Sequence, residues 1–368
     1  MNPERLDRLF GSIRQAGWHA LALNPGPSLT YLTGLSFHLM ERPVLGFFVP
    51  GQPVHLVLPE LERVKAGSRD DDLILYPYEE TAASRFAALQ DAVGMAGLDG
   101  KRVGVEPLRL RFYETQLLQQ AAPRLSLIAG DAVIETLRLR KDEAEVERMQ
   151  RAVQVAERAL EACLPAIRVG MTERELASEL TVQLLRARSD PDLPFSPIVA
   201  AGPNSALPHA VPSDRPLQNG DLLILDWGAS FEGYISDLTR TFAVGEVEPE
   251  FRRIHQLVLE SNAAAVVRAA PGVTAGSVDD GARQVIEGAG YGSYFIHRTG
   301  HGIGMEAHEP PYIRADNAAP LEPGMAFTVE PGIYLPGRGG VRIEDNLVVT
   351  ETGCTVLSSF DRDLRQVG

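Results

Sequence analysis

The sequence predicts an α/β protein of two domains, the second of which is built from two similar halves. Three observations support this. In the first third of the chain, short apolar runs alternate with amphipathic stretches. Long charged helical stretches begin near residue 135, and a short sequence motif is repeated later in the chain. A chain of 368 residues also has the length of two domains. We therefore expect one domain over residues 1–134 and another over residues 135–368.

The first domain combines a helix with several short strands. Residues 3–16 carry apolar side chains at helical spacing. Apolar runs bounded by proline or glycine then predict strands at residues 44–49, 54–58, 72–76 and 102–105. This order indicates a mixed sheet with flanking helices.

The second domain is expected to open with a long charged helix over residues 137–165. Its apolar residues recur at steps of three, four and seven, which is one helical face, and Pro165 and Gly170 end it. The next helix has a predicted start at Thr172, because Thr172 and Glu175 form a capping-box pattern.

A repeat runs through the second domain. The phrase at residues 170–172, Gly-Met-Thr, returns as Gly-Val-Thr at residues 272–274, which is 102 positions later. Acidic residues recur at similar offsets: Asp226 with Glu330, and Asp237 with Glu344. Near-constant offsets indicate an internal duplication in which helices precede an acidic hairpin in each half. Two facing halves would bring their hairpins together at a pseudo-two-fold axis.

The first acidic hairpin covers residues 221–244. If it is symmetric about Phe231 and Glu232, Asp226 lies directly opposite Asp237. Opposed residues have Cβ atoms about 4.5–5.5 Å apart, so two like charges there are unfavourable unless a cation lies between them. The structural alternative is that one Asp belongs to the turn and the other faces solvent.

The second hairpin has its expected turn centred on Gly337, which puts Glu330 opposite Glu344. A purely structural explanation fits one such pair of carboxylates. It fits two pairs at matching places of a duplicated domain poorly. The pattern therefore indicates a cation site between the two hairpins.

Four of the eight histidines lie in segments near these hairpins: His209, His297, His301 and His308. Gly300, Gly302 and Gly304 would let the backbone approach a bound group closely. The spacing is not H-E-x-x-H, which excludes a zincin. We expect structural roles for His19, His55 and His255. His38 is a weaker candidate for a substrate-binding residue, which could contribute to the site of a neighbouring subunit.

Composition limits the possible partners. The formal net charge is −14, which argues against nucleic acid because phosphate binding needs basic patches. The two cysteines exclude a disulfide framework. The N-terminus has no signal-peptide apolar region, and no run of 18 apolar residues suggests a membrane span. We expect a cytoplasmic protein without a membrane partner.

Four segments resemble the pita-bread metallopeptidases, the family of aminopeptidase P, prolidase and methionine aminopeptidase: LDWGASFEGYISDLTR, HRTGHGIGMEAHE, FTVEPGIY and GVRIEDN. The segment NPGPSLTYLTGL resembles more loosely the creatinase-type N-terminal domain of the aminopeptidase P and prolidase branch. Methionine aminopeptidases usually lack that domain. The resemblance implies an α/β (α+β) fold with an N-terminal creatinase-like domain and a C-terminal pita-bread catalytic domain.

The resemblance also implies two divalent metal ions per subunit, with five ligands: Asp226, Asp237, His301, Glu330 and Glu344. Asp226 and Asp237 would bind one ion, with Asp237 bridging. His301 and Glu330 would bind the other ion, and Glu344 would bridge both. An oxygen-rich ligand set favours Mn²⁺, with Co²⁺, Zn²⁺ and Fe²⁺ as alternatives.

Further roles follow from the same resemblance. The implied catalytic residues are His209, His308 and Glu330, and the implied substrate-binding residues are His297, Arg342 and Tyr334. The expected reaction is hydrolysis of the Xaa-Pro bond at the N-terminus of small peptides by a metal-bridging hydroxide, as an Xaa-Pro aminopeptidase or dipeptidase and as a homodimer. The alternatives are a metal-free creatinase-like hydrolase and a non-catalytic binding module, and the complete ligand set argues against both.

Overall fold

The structure is a computed structural model that describes residues 1–67 and 72–368. These residues form two compact units, Met1–Arg138 and Leu139–Gly368. The boundary expected from the sequence, between residues 134 and 135, falls inside the helix Asp131–Arg138. This helix packs against the N-terminal helix Pro3–Gln15 and belongs to the first unit.

The first unit is the expected mixed sheet with flanking helices. Its strands are β1 Ala20–Leu23, β2 Leu45–Phe48, β3 Val54–Pro59, β4 Leu73–Tyr78, β5 Arg102–Val105 and β6 Ser126–Ala129. Its helices are α1 Pro3–Gln15, α2 Pro27–Thr33, α3 Arg63–Ala66, α4 Ala82–Met95, α5 Phe112–Ala121 and α6 Asp131–Arg138. The strand order is β4-β3-β2-β1-β5-β6, with both parallel and antiparallel neighbours.

The second unit has four helices and two larger sheets within the described chain. The helices are α7 Glu143–Cys163, α8 Glu173–Arg186, α9 Pro249–Arg268 and α10 Ala275–Gly288. One sheet, ordered β19-β11-β8-β7, contains β7 Ile198–Ala201, β8 Leu222–Trp227, β11 Leu238–Val244 and β19 Gln366–Val367. The other, ordered β13-β12-β14-β17-β18, contains β12 Gly300–Gly302, β13 Glu309–Ile313, β14 Ala326–Val329, β17 Asp345–Val349 and β18 Cys354–Val356. Two ribbons extend the hairpins: β9 Ser230–Phe231 with β10 Tyr234–Ile235, and β15 Gly332–Leu335 with β16 Gly339–Arg342.

The predicted start of the helix over residues 137–165 is wrong. Helix α7 begins only at Glu143, because Asp142 caps it by accepting a hydrogen bond from the Glu145 N–H at 2.9 Å. The residues before the cap pair with another segment, since Lys141 donates its N–H to Gly324 O at 2.8 Å. The Asp142–Glu145 capping box was a missed sequence signal. The start predicted for α8, with Thr172 as cap and Glu175 as its partner, is confirmed.

The internal duplication is confirmed in the hydrogen bonding of the two halves. Gly170 donates its N–H to Leu217 O at 2.9 Å, and in the second half Gly272 donates to Leu321 O at 2.8 Å. The returning bonds also match, because Leu217 donates to Met171 O and Leu321 donates to Val273 O. Each half therefore consists of a long helix, a shorter helix and an antiparallel hairpin with a third strand.

Each half also has its own core. Helices α7 and α8 pack on the β7-β8-β11 sheet, and α9 and α10 pack on the sheet that contains β14 and β17. This arrangement leaves the two hairpins next to each other, which is where the carboxylates lie. Within the described residues, no helix combines the length and the apolar character needed to span a bilayer.

Candidate active site

The first acidic hairpin has a different register from the expected one. Asp226 pairs with Thr239, and not with Asp237. The turn consists of Glu232 and Gly233, which both have positive φ, at 49° and 78°. Two-residue hairpin loops favour this conformation because its twist matches that of the strands. A shift of two residues keeps the side-chain face, so Asp226 and Asp237 remain diagonal neighbours on one face of the hairpin.

The second hairpin has the predicted register. Val329 pairs with Asp345, and Gly332 pairs with Arg342. These two pairs flank Glu330 and Glu344, which therefore lie opposite each other as expected.

The two hairpins are joined directly at the carboxylates. Glu344 donates its N–H to Thr239 O at 3.1 Å and accepts a hydrogen bond from the Thr239 hydroxyl at 2.7 Å. Close by, Asp237 donates its N–H to Asn346 Oδ1 at 3.1 Å, and the Asn346 amide donates to Asp237 O. These bonds set where the carboxylates of the two halves meet. The sequence did not single out Thr239 or Asn346.

His301 enters the site from the short strand β12. A Cβ atom on Gly300 would lie 1.9 Å from Thr328 O, and one on Gly302 would lie 2.1 Å from Pro310 O. A Cβ on Gly304 would meet the Glu309 and Lys141 side chains. These glycines therefore make room for the neighbouring chain, and their expected approach to a bound group stays a prediction.

Three of the five expected ligands form a compact buried group. Ligand atoms of Asp237, His301 and Glu344 all lie within 4.8 Å of one another. Nε2 of His301 is 3.7 Å from Asp237 Oδ2 and 3.4 Å from Glu330 Oε1. Asp226, the diagonal neighbour of Asp237 on the same face of the hairpin, accepts a hydrogen bond from Arg342 Nη2 at 2.5 Å.

Crowding of the carboxylates changes their protonation. Burial, and then the charges of Asp226 and Glu330, raise the pKa of Asp237 well above its usual range. Burial, and then the charges of Asp237 and Glu330, raise the pKa of Glu344 in the same way. Burial raises the pKa of Glu330 to about 7 and also raises that of Asp226. Burial lowers the pKa of His301 to about 3, so this imidazole is neutral at pH 7.

This donor set fits a bound cation. Nδ1 of His301 lies 3.1 Å from Gly302 O and must donate to it, so the lone pair of Nε2 points toward two carboxylates. Among the described residues, buried Asp226 Oδ1 has no hydrogen-bond partner. Lone pairs that face one another in a buried site are unfavourable without a positive charge between them.

Arg342 is the buried cation of the site, and its guanidinium nitrogens are engaged with protein. Nε donates to Thr239 Oγ1 at 3.1 Å, Nη2 to Asp226, and Nη1 to Pro208 O at 3.2 Å and to Tyr334 OH at 2.9 Å. The resemblance implied that Arg342 organises the site or meets the substrate. Arg342 lines the cavity, and its donors are directed at the protein.

His297 and Tyr334 continue this network. Nδ1 of His297 lies 2.7 Å from Arg298 O and so carries the proton, and Nε2 accepts from Tyr334 OH at 2.9 Å. Burial lowers the pKa of His297 to about 4. Tyr334 is buried and lies outside the cavity lining, whereas His297 is part of it. His297 therefore offers the cavity its ring and no unengaged nitrogen.

A cavity of about 700 Å³ opens over the carboxylates. His209 and His308 line it, and the His308 ring lies edge-on to that of His301 at 4.1 Å. Its wall also contains apolar residues that sequence reasoning missed: Phe195, Ile198, Pro208 and Ala307. His38 belongs to the first unit and is exposed.

Two arginines of the cavity wall were also missed. Arg298 stacks on Tyr312 at 4.7 Å, and no carboxylate of the described residues lies within ion-pair distance of it. Arg314 pairs with Asp316 at 2.9 Å. Arg298 stands inside the HRTGHG motif, so its position offered a signal. Arg314 follows β13 with no recognisable pattern around it.

Comparison with known proteins gives a consistent result. Residues 147–351 match the model of metallopeptidase family M24, and residues 5–140 match that of the creatinase/prolidase N-terminal domain. An Xaa-Pro dipeptidase from Pyrococcus furiosus is 43% identical over 235 residues, which is 64% of this chain and 67% of that protein.

Solved structures of similar proteins superpose on this chain over nearly its whole length. A dipeptidase from Pyrococcus horikoshii OT3 superposes with a TM-score of 0.93 at 35% identity, over 99% of this chain and all of the other. An X-Pro aminopeptidase from Thermotoga maritima MSB8 superposes with a TM-score of 0.85 at 31% identity, over 98% of this chain and 99% of the other.

Proposed function

The chain belongs to metallopeptidase family M24, and from this membership we propose that it is a two-metal Xaa-Pro dipeptidase. The name carried by the Pyrococcus furiosus relative supports this specificity. The observation that carries the proposal is the meeting of four carboxylates, three of them buried and that of Glu330 half-buried, with a neutral histidine on the floor of one cavity. Such a site needs cations, and metal ions are the ones that also activate water.

We propose the ligand roles expected from the sequence. Asp226 and Asp237 would bind one ion, His301 and Glu330 the other, and Asp237 and Glu344 would bridge. Buried Asp226 Oδ1 has no hydrogen-bond partner among the described residues, which supports a cation beside it. Oxygen ligands favour Mn²⁺, with Co²⁺, Zn²⁺ and Fe²⁺ as alternatives. When bound, such ions lower the pKa of water and polarise the scissile carbonyl.

The protein's own groups would complete the reaction. Glu330 would take a proton from the attacking water and deliver it to the leaving nitrogen of proline. His209 and His308 would donate hydrogen bonds to the oxygen of the tetrahedral intermediate. Burial lowers the pKa of His308, which keeps its imidazole neutral at pH 7, with one N–H to donate.

The cavity wall is suited to a proline ring. His297 has both ring nitrogens engaged, so it can offer only its ring to a substrate. Phe195, Ile198 and Pro208 add apolar surface. We propose that the pyrrolidine ring packs on this wall, and that Tyr334 and Arg342 act through His297 and Asp226 without touching the ring.

One arginine of the cavity wall, Arg298, favours a short substrate. A dipeptide carries its C-terminal carboxylate near the scissile bond, whereas a longer peptide carries an amide there. Arg298 lines the cavity and forms no ion pair with another described residue, so its guanidinium can bind that anion directly. This preference separates a dipeptidase from an aminopeptidase, the activity named for the Thermotoga maritima neighbour.

Three substrates test the proposal on metal-reconstituted protein, with Mn²⁺ and Co²⁺ in turn. They are an Xaa-Pro dipeptide, its C-terminal amide and an Xaa-Pro-Xaa tripeptide. We expect hydrolysis of the dipeptide and slow reaction of the other two. Preference for the tripeptide would indicate an aminopeptidase. No turnover of any of them with metals bound would exclude the Xaa-Pro reaction, and no metal binding would favour a creatinase-like or non-catalytic protein.

We also propose a homodimer, as the sequence resemblance implies. Sedimentation at micromolar concentration tests this directly. A monomer of 40.0 kDa at that concentration would contradict it.

A further inference from the structure

Helix α10 contains an ion pair that the proposed reaction does not use. Nε of Arg283 donates to Asp279 Oδ2 at 3.0 Å, and Nη2 donates to Oδ1 at 3.1 Å. The Asp279 side chain is fully buried, and that of Arg283 is 23% exposed. Pairing at two points fixes the plane of the guanidinium group.

This pair holds the loop that leads to the active site. Arg283 donates to Phe295 O at 3.1 Å and to His297 O at 2.9 Å. Asp279 Oδ1 accepts the Thr299 N–H at 3.0 Å. One ion pair therefore binds the backbone at three alternate residues, immediately before His301.

A column of stacked side chains runs from this pair to the cavity. The Arg283 guanidinium lies 4.2 Å from the Phe295 ring centroid. The Phe295 and His297 rings meet edge-on at 5.3 Å, and the His297 and Tyr334 rings are 5.4 Å apart. Arg283 thus fixes His297 twice, through its carbonyl oxygen and through its neighbour Phe295.

The matching helix pair of the first half packs without such an ion pair. In α8, the positions that match Asp279 and Arg283, 102 residues earlier, are Ala177 and Thr181. Helices α8 and α10 each have 14 residues and begin at a threonine cap, Thr172 and Thr274. The ion pair occurs in the half whose following loop carries the site histidines, which favours a role in the site over a role in helix packing.

We propose that Arg283 and Asp279 are positioning residues that set the orientation of the His297 ring in the cavity wall. Arg283 orients His297 and so the part of the cavity wall that faces the substrate. Asp279 holds the backbone at Thr299, just before His301. The substrate chosen for the test rests on the proposed Xaa-Pro activity. The proposed orientation of His297 by Arg283 does not depend on that activity.

The kinetic test compares Arg283→Lys and Arg283→Gln with the wild type, all loaded with metal. Lysine keeps a charge for Asp279 but lacks the planar group that reaches two carbonyl oxygens. We expect KM for an Xaa-Pro dipeptide to rise about ten-fold and kcat to stay within about two-fold, since substrate fit is lost and the catalytic groups are kept. Gln should raise KM further.

Arg268→Gln is the matched control. Arg268 lies on α9 and also bonds α10, through Ser277 O at 3.3 Å and Gln284 at 3.1 Å. Within the described part of the chain, it forms no hydrogen bond to the loop before His301. We expect its KM to equal that of the wild type. A KM increase of the same size in this variant would attribute the effect to helix packing and overturn the proposal.

Histidine ¹⁵N NMR of the protein loaded with Zn²⁺ gives a readout that does not depend on turnover. We expect the Nε2 signal of His297 to shift in Arg283→Lys, because its bond to Tyr334 changes. Unchanged KM and unchanged His297 signals in folded Arg283→Lys would overturn the proposal. An inactive wild type whose His297 signal still responds to Arg283→Lys would refute the Xaa-Pro activity and leave the positioning role supported.

Discussion

The hydroxyl of Thr239 donates a hydrogen bond to Glu344 Oε2 at 2.7 Å and so joins two residues that lie 105 positions apart in the chain. The same hydroxyl accepts a hydrogen bond from Arg342 Nε at 3.1 Å. A single buried oxygen therefore orients a proposed bridging ligand and the buried cation together. Its removal leaves both groups without that partner.

Thr239→Val should weaken metal binding while the shape of the site is kept. Valine replaces the hydroxyl with a methyl group, so Glu344 loses the donor that fixes its carboxylate. Loss of such an outer contact typically lowers metal affinity about 10–100-fold. Competition with a chelator measures this loss.

Thr181→Val is the control for that substitution. Among the residues that the structure describes, its hydroxyl bonds only within its own helix, to Ala177 O at 2.9 Å. We expect unchanged metal affinity in this variant. Equal affinities in wild type and Thr239→Val would show that Glu344 does not depend on the neighbouring hairpin.

His308→Ala should lose activity and retain metal. Its ring lines the cavity 4.1 Å from that of His301 without belonging to the ligand group. Removal of one donor to the developing oxyanion costs about 10²–10³ in kcat. His19→Ala, in the first unit, is the control and should retain full activity. A His308→Ala enzyme with full kcat would exclude the oxyanion role.

Much of the site could be predicted because its residues lie in short, local motifs. The repeat placed carboxylates at matching positions in two halves, and the centre of the second turn gave the correct pairing of Glu330 with Glu344. The first hairpin failed by two residues because its turn is Glu232-Gly233. A two-residue loop ending in glycine is a recognisable signal, which symmetry about Phe231 ignored.

The remaining parts depend on tertiary contacts. Thr239 and Glu344 are joined only once the two halves fold together, and no local pattern links them. Asp279 and Arg283 form an ordinary helical ion pair in sequence, and their bonds to Phe295 and His297 depend on how the loop returns to α10. The motif implied that Arg342 organises the site or meets the substrate, but its particular partners, Thr239 and Asp226, belong to the other half and follow no local pattern.

Removal of metal should reverse the usual effect of acid on stability. Burial raises the pKa of Glu330 from its ordinary value to about 7. Between these values the folded protein holds a proton that the unfolded chain releases, so stability is present at low pH and is lost as pH rises. For Glu330 alone this amounts to roughly 3 kcal/mol between about pH 4.5 and 7.

Urea unfolding of EDTA-treated protein measures this effect. We expect the free energy of unfolding to fall as pH rises through that window, and Glu330→Gln to reduce the slope because it cannot titrate. Bound metal should remove the dependence by neutralising the carboxylates. A metal-free protein whose Glu330→Gln variant has the same slope as the wild type would contradict the prediction.

His255 should give the free energy of unfolding a pH dependence opposite to that of Glu330. This histidine lies far from the proposed ligands in sequence. It is buried in α9, its Nε2 has no hydrogen-bond partner among the described residues, and burial lowers its pKa to about 4. Protonation favours the unfolded chain, so this stability is complete above about pH 6.5 and is lost as pH falls toward 4. The loss is roughly 3 kcal/mol, and His255→Leu should remove it. The difference in unfolding free energy between EDTA-treated wild type and His255→Leu should therefore change with pH between these limits. If the two curves of unfolding free energy against pH are parallel, His255 does not resist protonation in the folded state.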